Sequence, residues 1–340
     1  MLKNIIFKLN FSKKNMTKNN NFIKKLILLS SKNKKKIILP EGENYKIIKA
    51  AYICSKYEIA DCILIGSKKK IYNIAKKNDI EFKKYNLKII NPKYIYKNYI
   101  DRYVELRKHK GMTKNIAKND LKNNIILSTL ILENNEVDGL VSGIENTTAN
   151  TIRPALQLIK TKENCSLISS AFFVLLNNNV CIYSDCAINV NPDKYQLAEI
   201  AIQTANTAIK FNILPKIAML SYSTGISGSG IEVEKVLHAT NIVKNKRPDL
   251  IIEGPIQYDA AVSKKISYIK NKNSILSGCA NIFIFPELNS GNITYKAVQR
   301  TSKVTFIGPI LQGVKKNISD LSRGASMKEI LYTIALTSIL

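Results

Sequence analysis

The stretch "KIAMLSYSTGISGSGIEVEKV", Lys216 to Val236, sets an apolar run (216–221) before a loop containing Gly225, Gly228 and Gly230 among serine and threonine hydroxyls. An amphipathic, helix-length segment follows. Strand, loop and helix in that order form the repeating unit of a parallel sheet, because parallel neighbours need a crossover between them. So many glycines in one loop imply a backbone that must approach something closely. The spacing matches neither GxxxxGK[ST] nor GxGxxG, so this is not a known nucleotide fingerprint.

The same alternation extends through the chain. Strands are expected at 36–40, 61–66, 87–92, 138–143, 180–185, 216–221, 249–254, 281–287 and 305–310. Several are unbroken Ile/Leu/Val runs, as in strands covered on both faces. Between them, "NPDKYQLAEIAIQTANTAIKF" predicts a helix with Asn191 as N-cap, Pro192 at its first position and Leu197, Ala201, Ala205 and Ala208 on its apolar side. The fold class is therefore α/β with mostly parallel sheets, and 340 residues suit two domains better than one. In such sheets ligands sit on the loops leaving the carboxyl ends of the strands. The unusual segments all fall there: "LPEGEN", "SGIENTTANTIRP", "SDCAINVNP", "SYSTGISGSG", "EGPIQYDAAV", "FPELNSGNITYKAVQR" and "GPILQG".

Composition narrows the function. Lys and Arg number 52 against 25 acidic residues, a net charge of +27. The excess is scattered Lys/Asn-rich sequence, densest in the first 35 residues, and aromatic–basic interleaving of the single-strand-binding kind is missing. A compositional bias on the surface is preferred to nucleic-acid binding. No apolar run reaches the ~20 residues of a membrane span. The six cysteines form no CxxC pair and read as reduced core residues of a cytosolic protein. With only His109 and His238 available, neither a His-based metal site nor a Ser-His-Asp triad assembles readily, and no metal is expected. Against so much lysine, the arginines at 102, 107, 153, 247, 300 and 323 are informative, since arginine supplies a planar fork for phosphate or carboxylate. The rim thus offers arginines, hydroxyls and glycine backbones, which suits an anionic substrate and chemistry by positioning.

The motifs "VELRKHKGMT", "DGLVSGIENTTANTIRPALQLIKT", "AMLSYSTGISGSG", "RPDLIIEGPIQYDAAV", "NIFIFPELNSGNITYKAVQR" and "SDLSRGAS" occur in order. Over about nine-tenths of its length the chain resembles the phosphate acetyltransferases, in their short form without N-terminal regulatory domains. The resemblance implies reversible acetyl transfer between CoA and phosphate by direct thiolate attack in a ternary complex. CoA is then a co-substrate, and no tightly bound cofactor is expected. It also implies a cytoplasmic homodimer and a two-domain fold like that of isocitrate and isopropylmalate dehydrogenases, with the active site in the inter-domain cleft. The expected boundaries are a basic segment at 1–35, a first domain of 36–160 plus 311–340, and a second of 161–310. The alternatives are a phosphate butyryltransferase-like enzyme with another acyl group, a metal- and nicotinamide-dependent dehydrogenase, and a basic nucleic-acid-binding protein.

Carried over by motif, Arg107 and Arg153 match substrate- and phosphate-binding arginines, and Ser322 with Arg323 matches the pair placed at the reacting acyl phosphate. Glu329 stands where the family has its catalytic aspartate. "SMKE" is also a capping box for the last helix, so base and cap stay open for Glu329. Thr224, Gly225, Ser227, Gly228 and Ser229 are expected to cradle phosphate or CoA, with the next helix adding its positive N-terminus. A Ser/Gly-rich hinge is the competing reading of that loop. Tyr258, Asp259 and Arg300 complete the expected substrate-binding set. Asn146 and Glu253 depart from the family, which often has histidine and aspartate there.

Overall fold

A computed structural model describes residues 18–85, 87–176 and 179–340. Positions 1–17, about half of the basic segment, lie outside the described residues. The strands in chain order are β1 (Lys36–Leu39), β2 (Asp61–Ile65), β3 (Lys88–Ile90), β4 (Gly139–Ser142), β5 (Ser169–Leu175), β6 (Val180–Ser184), β7 (Lys216–Leu220), β8 (Ile251–Ile256), β9 (Ile282–Ile284), β10 (Thr305–Gln312) and β11 (Asn317–Asp320).

The chain divides into two compact units: residues 20–162 with 314–340, and residues 163–313. In the first unit the strand order is β3-β2-β1-β4-β11, parallel throughout. Ile37, Ile38, Leu39, Leu64 and Val141 are fully buried, as expected where helices cover both faces. The final helix, Met327–Ile339, lies against the helix Tyr45–Lys56 and against β4 and β11. It buries Ile330, Ile334, Ala335 and Leu336 there.

In the second unit the order is β10-β5-β6-β9-β7-β8, antiparallel at β10–β5 and β5–β6 and parallel elsewhere. Its core is aromatic. Phe172, Tyr183, Phe283, Phe285, Tyr295 and Phe306 form one buried cluster, with Phe172 stacked on Tyr295 at 4.6 Å between centroids. The helix Lys194–Lys210 buries Leu197, Ala201, Ala205 and Ala208, as its pattern requires. Its N-cap is Asp193 rather than Asn191, because Asp193 with Gln196 makes a reciprocal capping box that starts the helix past Pro192.

Candidate functional site

In the first unit the carboxyl ends of β1, β4 and β11 lie side by side and their loops interlock. Glu41, two residues past β1, is 7% exposed. Its carboxylate accepts from the Gly143, Ile144 and Glu145 N–H groups at 2.8, 3.0 and 2.8 Å, and from Asn146 Nδ2 at 2.8 Å. Three consecutive amides converging on one anion make a nest, here filled by the protein's own carboxylate. Gly143 enters it at φ +117°, a conformation that favours glycine. Thr147 then caps the helix Thr148–Pro154, which carries Arg153 on its exposed side.

From β11 the chain runs through Asp320 and Leu321 to exposed Ser322 and Arg323. Leu321 N–H donates to the Ser142 carbonyl at 2.6 Å, continuing the ladder one residue past the strand. The turn closes by Ala325 N–H to the Ser322 carbonyl at 2.8 Å and is fastened by Lys46 Nζ on the Ala325 carbonyl at 2.9 Å. Ser326 caps the last helix, and Glu329 Oε2 accepts from the Ser326 N–H at 2.7 Å. The capping box read from "SMKE" is thus formed. Arg153, Ser322, Arg323 and Glu329 all lie on segments leaving the ends of adjacent strands. Arg107 ends the helix Ile100–Arg107 in the same unit, with a buried Nε that has no hydrogen-bond partner.

The arginines fall into two classes. Arg102 forks Glu133 at 3.0 and 2.6 Å and reaches Glu105 at 2.8 Å, while Arg247 forks Asp249 at 2.8 and 2.7 Å. Among the described residues Arg107, Arg153, Arg300 and Arg323 have no carboxylate partner. These are the four that stand in the rim motifs.

In the second unit the glycine-rich loop after β7 is organised mainly by its own hydroxyls. Ser223 Oγ accepts from Gly228 N–H at 2.8 Å, and Ser227 Oγ accepts from Thr224 N–H at 2.9 Å. The Thr224 hydroxyl donates to Gln257 Oε1 at 3.0 Å and accepts from Gln257 N–H at 3.1 Å. Gly225 takes φ +57° and Gly230 φ +133°, so these glycines serve the turn geometry. The helix Ile231–Lys246 has no side-chain cap and carries Glu232 and Glu234 in its first turn. These carboxylates already answer its positive end, which makes that terminus a poorer anion site than the sequence suggests.

Tyr258 is 39% exposed, with its hydroxyl 2.6 Å from that of buried Tyr183 and its ring beside Phe283. Asp259 forms an ion pair with Lys270 at 2.8 Å, which holds its carboxyl below the usual range. Arg300 is exposed near the end of the helix Leu288–Thr301. Two more carboxylates fill loops of this unit. Asp185 takes N–H bonds from Ala187, Ile188 and Asn189, and Glu253 takes Ser274 Oγ, Asn271 Nδ2 and Leu276 N–H. Sequence reasoning missed Glu41, Asp185, Ser223 and Gln257 as organisers of the rim. Of these, Asp185 alone carried a local signal, a carboxylate directly after a buried strand.

Among the described residues no group of three or more His, Cys, Asp or Glu side chains could hold a metal ion, and no helix is long and apolar enough to cross a membrane. The chain is 60% identical over 301 residues to a phosphate acetyltransferase of Buchnera aphidicola subsp. Schizaphis graminum, covering 88% of this chain and 42% of that relative. It therefore spans less than half the length of the curated relatives it matches. A phosphotransacetylase structure from Streptococcus pyogenes superposes with TM-score 0.86 at 37% identity, covering 94% of this chain and 98% of the other. A 4-hydroxythreonine-4-phosphate dehydrogenase from Burkholderia phymatum shares the fold alone, with TM-score 0.51 at 11% identity over 90% of this chain and 98% of the other. With the family match running over residues 21–338, the chain belongs to the phosphate acetyl/butaryl transferase family.

Proposed function

We propose that this chain transfers an acetyl group reversibly between CoA and phosphate. The observation that carries the reading is the set of arginine forks without carboxylate partners in the family's motifs. Arg153 and Arg323 are the pair on adjacent strand ends. An exposed guanidinium with no internal anion is free to grip a phosphate in bidentate fashion. In the direction of acetyl-CoA synthesis, the CoA thiolate attacks the carbonyl carbon of acetyl phosphate. The C–S bond forms, the C–O bond to phosphorus breaks, and phosphate leaves with the electron pair. Arg323 and Ser322 would stabilise the developing oxyanion and the departing phosphate. Arg107 and Arg153 would bind the anionic parts of the substrates.

Glu329 would accept the thiol proton after releasing the Ser326 N–H, so one carboxylate serves as cap at rest and as base in turnover. Thr224, Gly225, Ser227, Gly228 and Ser229 would offer CoA a pre-shaped backbone surface rather than free hydroxyls. Tyr258 and Arg300 would border it, while Asp259 would shape that border through Lys270. The reading includes a cytoplasmic homodimer without a resident cofactor.

The test is thiol release from acetyl-CoA, with and without phosphate, alongside butyryl-CoA. Phosphate-dependent release that favours acetyl-CoA supports the reading. Preference for butyryl-CoA moves the assignment to the other acyl group named by the family.

A further inference from the structure

Asp320 closes β11 in register with Ser142 at the end of β4. Its side chain is 2% exposed, yet Oδ1 has no hydrogen-bond partner. The same is true of two buried hydroxyls, Ser142 Oγ and Thr151 Oγ1. The three atoms come from β11, from β4 and from the helix that bears Arg153.

Asp320 Oδ1 presses on the backbone of Gly143, where a Cβ would stand 2.3 Å from it. The Gly143 N–H meanwhile donates to Glu41. Two carboxyl groups therefore flank one glycine under very different conditions. Glu41 has four donors and can hold a charge. Burial first, and the Glu41 charge after it, push Asp320 up to about 7, against the pull of the Thr148 and Thr151 hydroxyls and the Leu321 N–H. A buried carboxyl whose few donors do not offset its desolvation gives up its charge. The neutral acid gains an O–H donor, and its orphan neighbours can accept.

We propose that Asp320 is a positioning residue carried as the neutral acid, its O–H bridging the end of β11 to the Thr151 and Ser142 hydroxyls. It thereby holds the Ser322–Arg323 turn in step with the helix that carries Arg153. The catalytic consequence rests on the acetyl-transfer reading, whereas the protonation state does not. Ionising Asp320 sets its charge against Glu41 and removes the donor.

Two readouts separate these parts. The first is stability against pH for the wild type and Asp320→Asn. An unfolded Asp loses its proton near 3.8 and the folded one at about 7, so wild-type stability falls across that window and levels above it. Asparagine stays neutral and lacks that component, so the variant gains on the wild type as pH rises. The second readout is kcat for acetyl transfer. The neutral fraction of a group titrating at about 7 drops about tenfold between pH 6 and 8. The wild-type-to-variant kcat ratio should drop by a similar factor, with KM unchanged.

If Asp320→Asn folds poorly, the ¹³C carboxyl shift of Asp320 in the wild type gives the midpoint directly, with about 7 expected. A midpoint near 4, or a flat stability difference from pH 5 to 8, overturns the proposal. A stability step with a flat kcat ratio overturns the positioning role. Absence of acetyl transfer by the wild type removes that role together with the functional reading, and the stability step still reports the neutral acid.

Discussion

Replacing Glu41 with glutamine tests whether the nest at the end of β4 is built around a charge. The side chain keeps its size, but one carboxylate oxygen becomes an NH2 group. Oε2 receives Gly143 and Ile144, and Oε1 receives Glu145 and Asn146, so either amide orientation turns two donors against a third. A hydrogen bond to a charged group contributes roughly 1.5–3 kcal/mol, and losing two gives about 3–6 kcal/mol before relief from no longer burying a charge. A net loss of about 3 kcal/mol is expected, a large share of the roughly 5–15 kcal/mol that holds a typical domain folded. Urea unfolding at pH 7 reads this. The loop leads into the Arg153 helix, so kcat for acetyl transfer should fall in the same variant. Removing the Glu41 charge should also move the Asp320 titration to lower pH, since that charge helps raise it. A loss under about 0.5 kcal/mol with unchanged kcat would refute the claim that Glu41 organises the rim.

Arg323→Lys keeps the charge and loses the fork at an exposed position, so turnover should fall at least tenfold with unfolding unchanged. Glu329→Gln separates the two roles: glutamine can still accept the Ser326 N–H, so stability should change by less than about 0.5 kcal/mol, whereas loss of a general base costs about 10²–10⁴ in kcat. Asp259→Asn breaks an exposed pair with Lys270 and should change stability by less than about 1 kcal/mol, measured by denaturant titration. Ser223→Ala removes the acceptor for Gly228 N–H and should raise KM for CoA more than it lowers kcat.

The parallel core was legible because its strands are continuous apolar runs, and β1, β2, β4 and β7 stand within a residue or two of where those runs predict them. Two strands were not. β5 opens on Ser169 and Ser170, whose hydroxyls are satisfied by Gln203, Gln312 and Asp185 from distant segments, so its polar start conceals a buried strand. β11 is only four residues, "NISD", and owes its place to the β4 ladder rather than to hydrophobic length. The rim followed the same logic. Arginines stand out in a lysine-rich chain by their type alone, and the "SMKE" box is local, so both could be read. Glu41 could not, because its four partners lie 102 to 105 residues further on. The hydroxyls of the glycine-rich loop were expected to face a ligand. In the structure Ser227 also bonds within the loop and Thr224 reaches Gln257, a partner that local sequence gives no reason to suspect.

The most direct measurement is acetyl phosphate formation from acetyl-CoA and phosphate by this chain alone, trapped with hydroxylamine. The question is pointed because the chain spans 42% of the Buchnera aphidicola relative. Phosphate-dependent acetyl hydroxamate, formed at least tenfold more slowly by Arg323→Lys, is the expected result. Folded protein that forms none with acetyl-CoA would contradict the account.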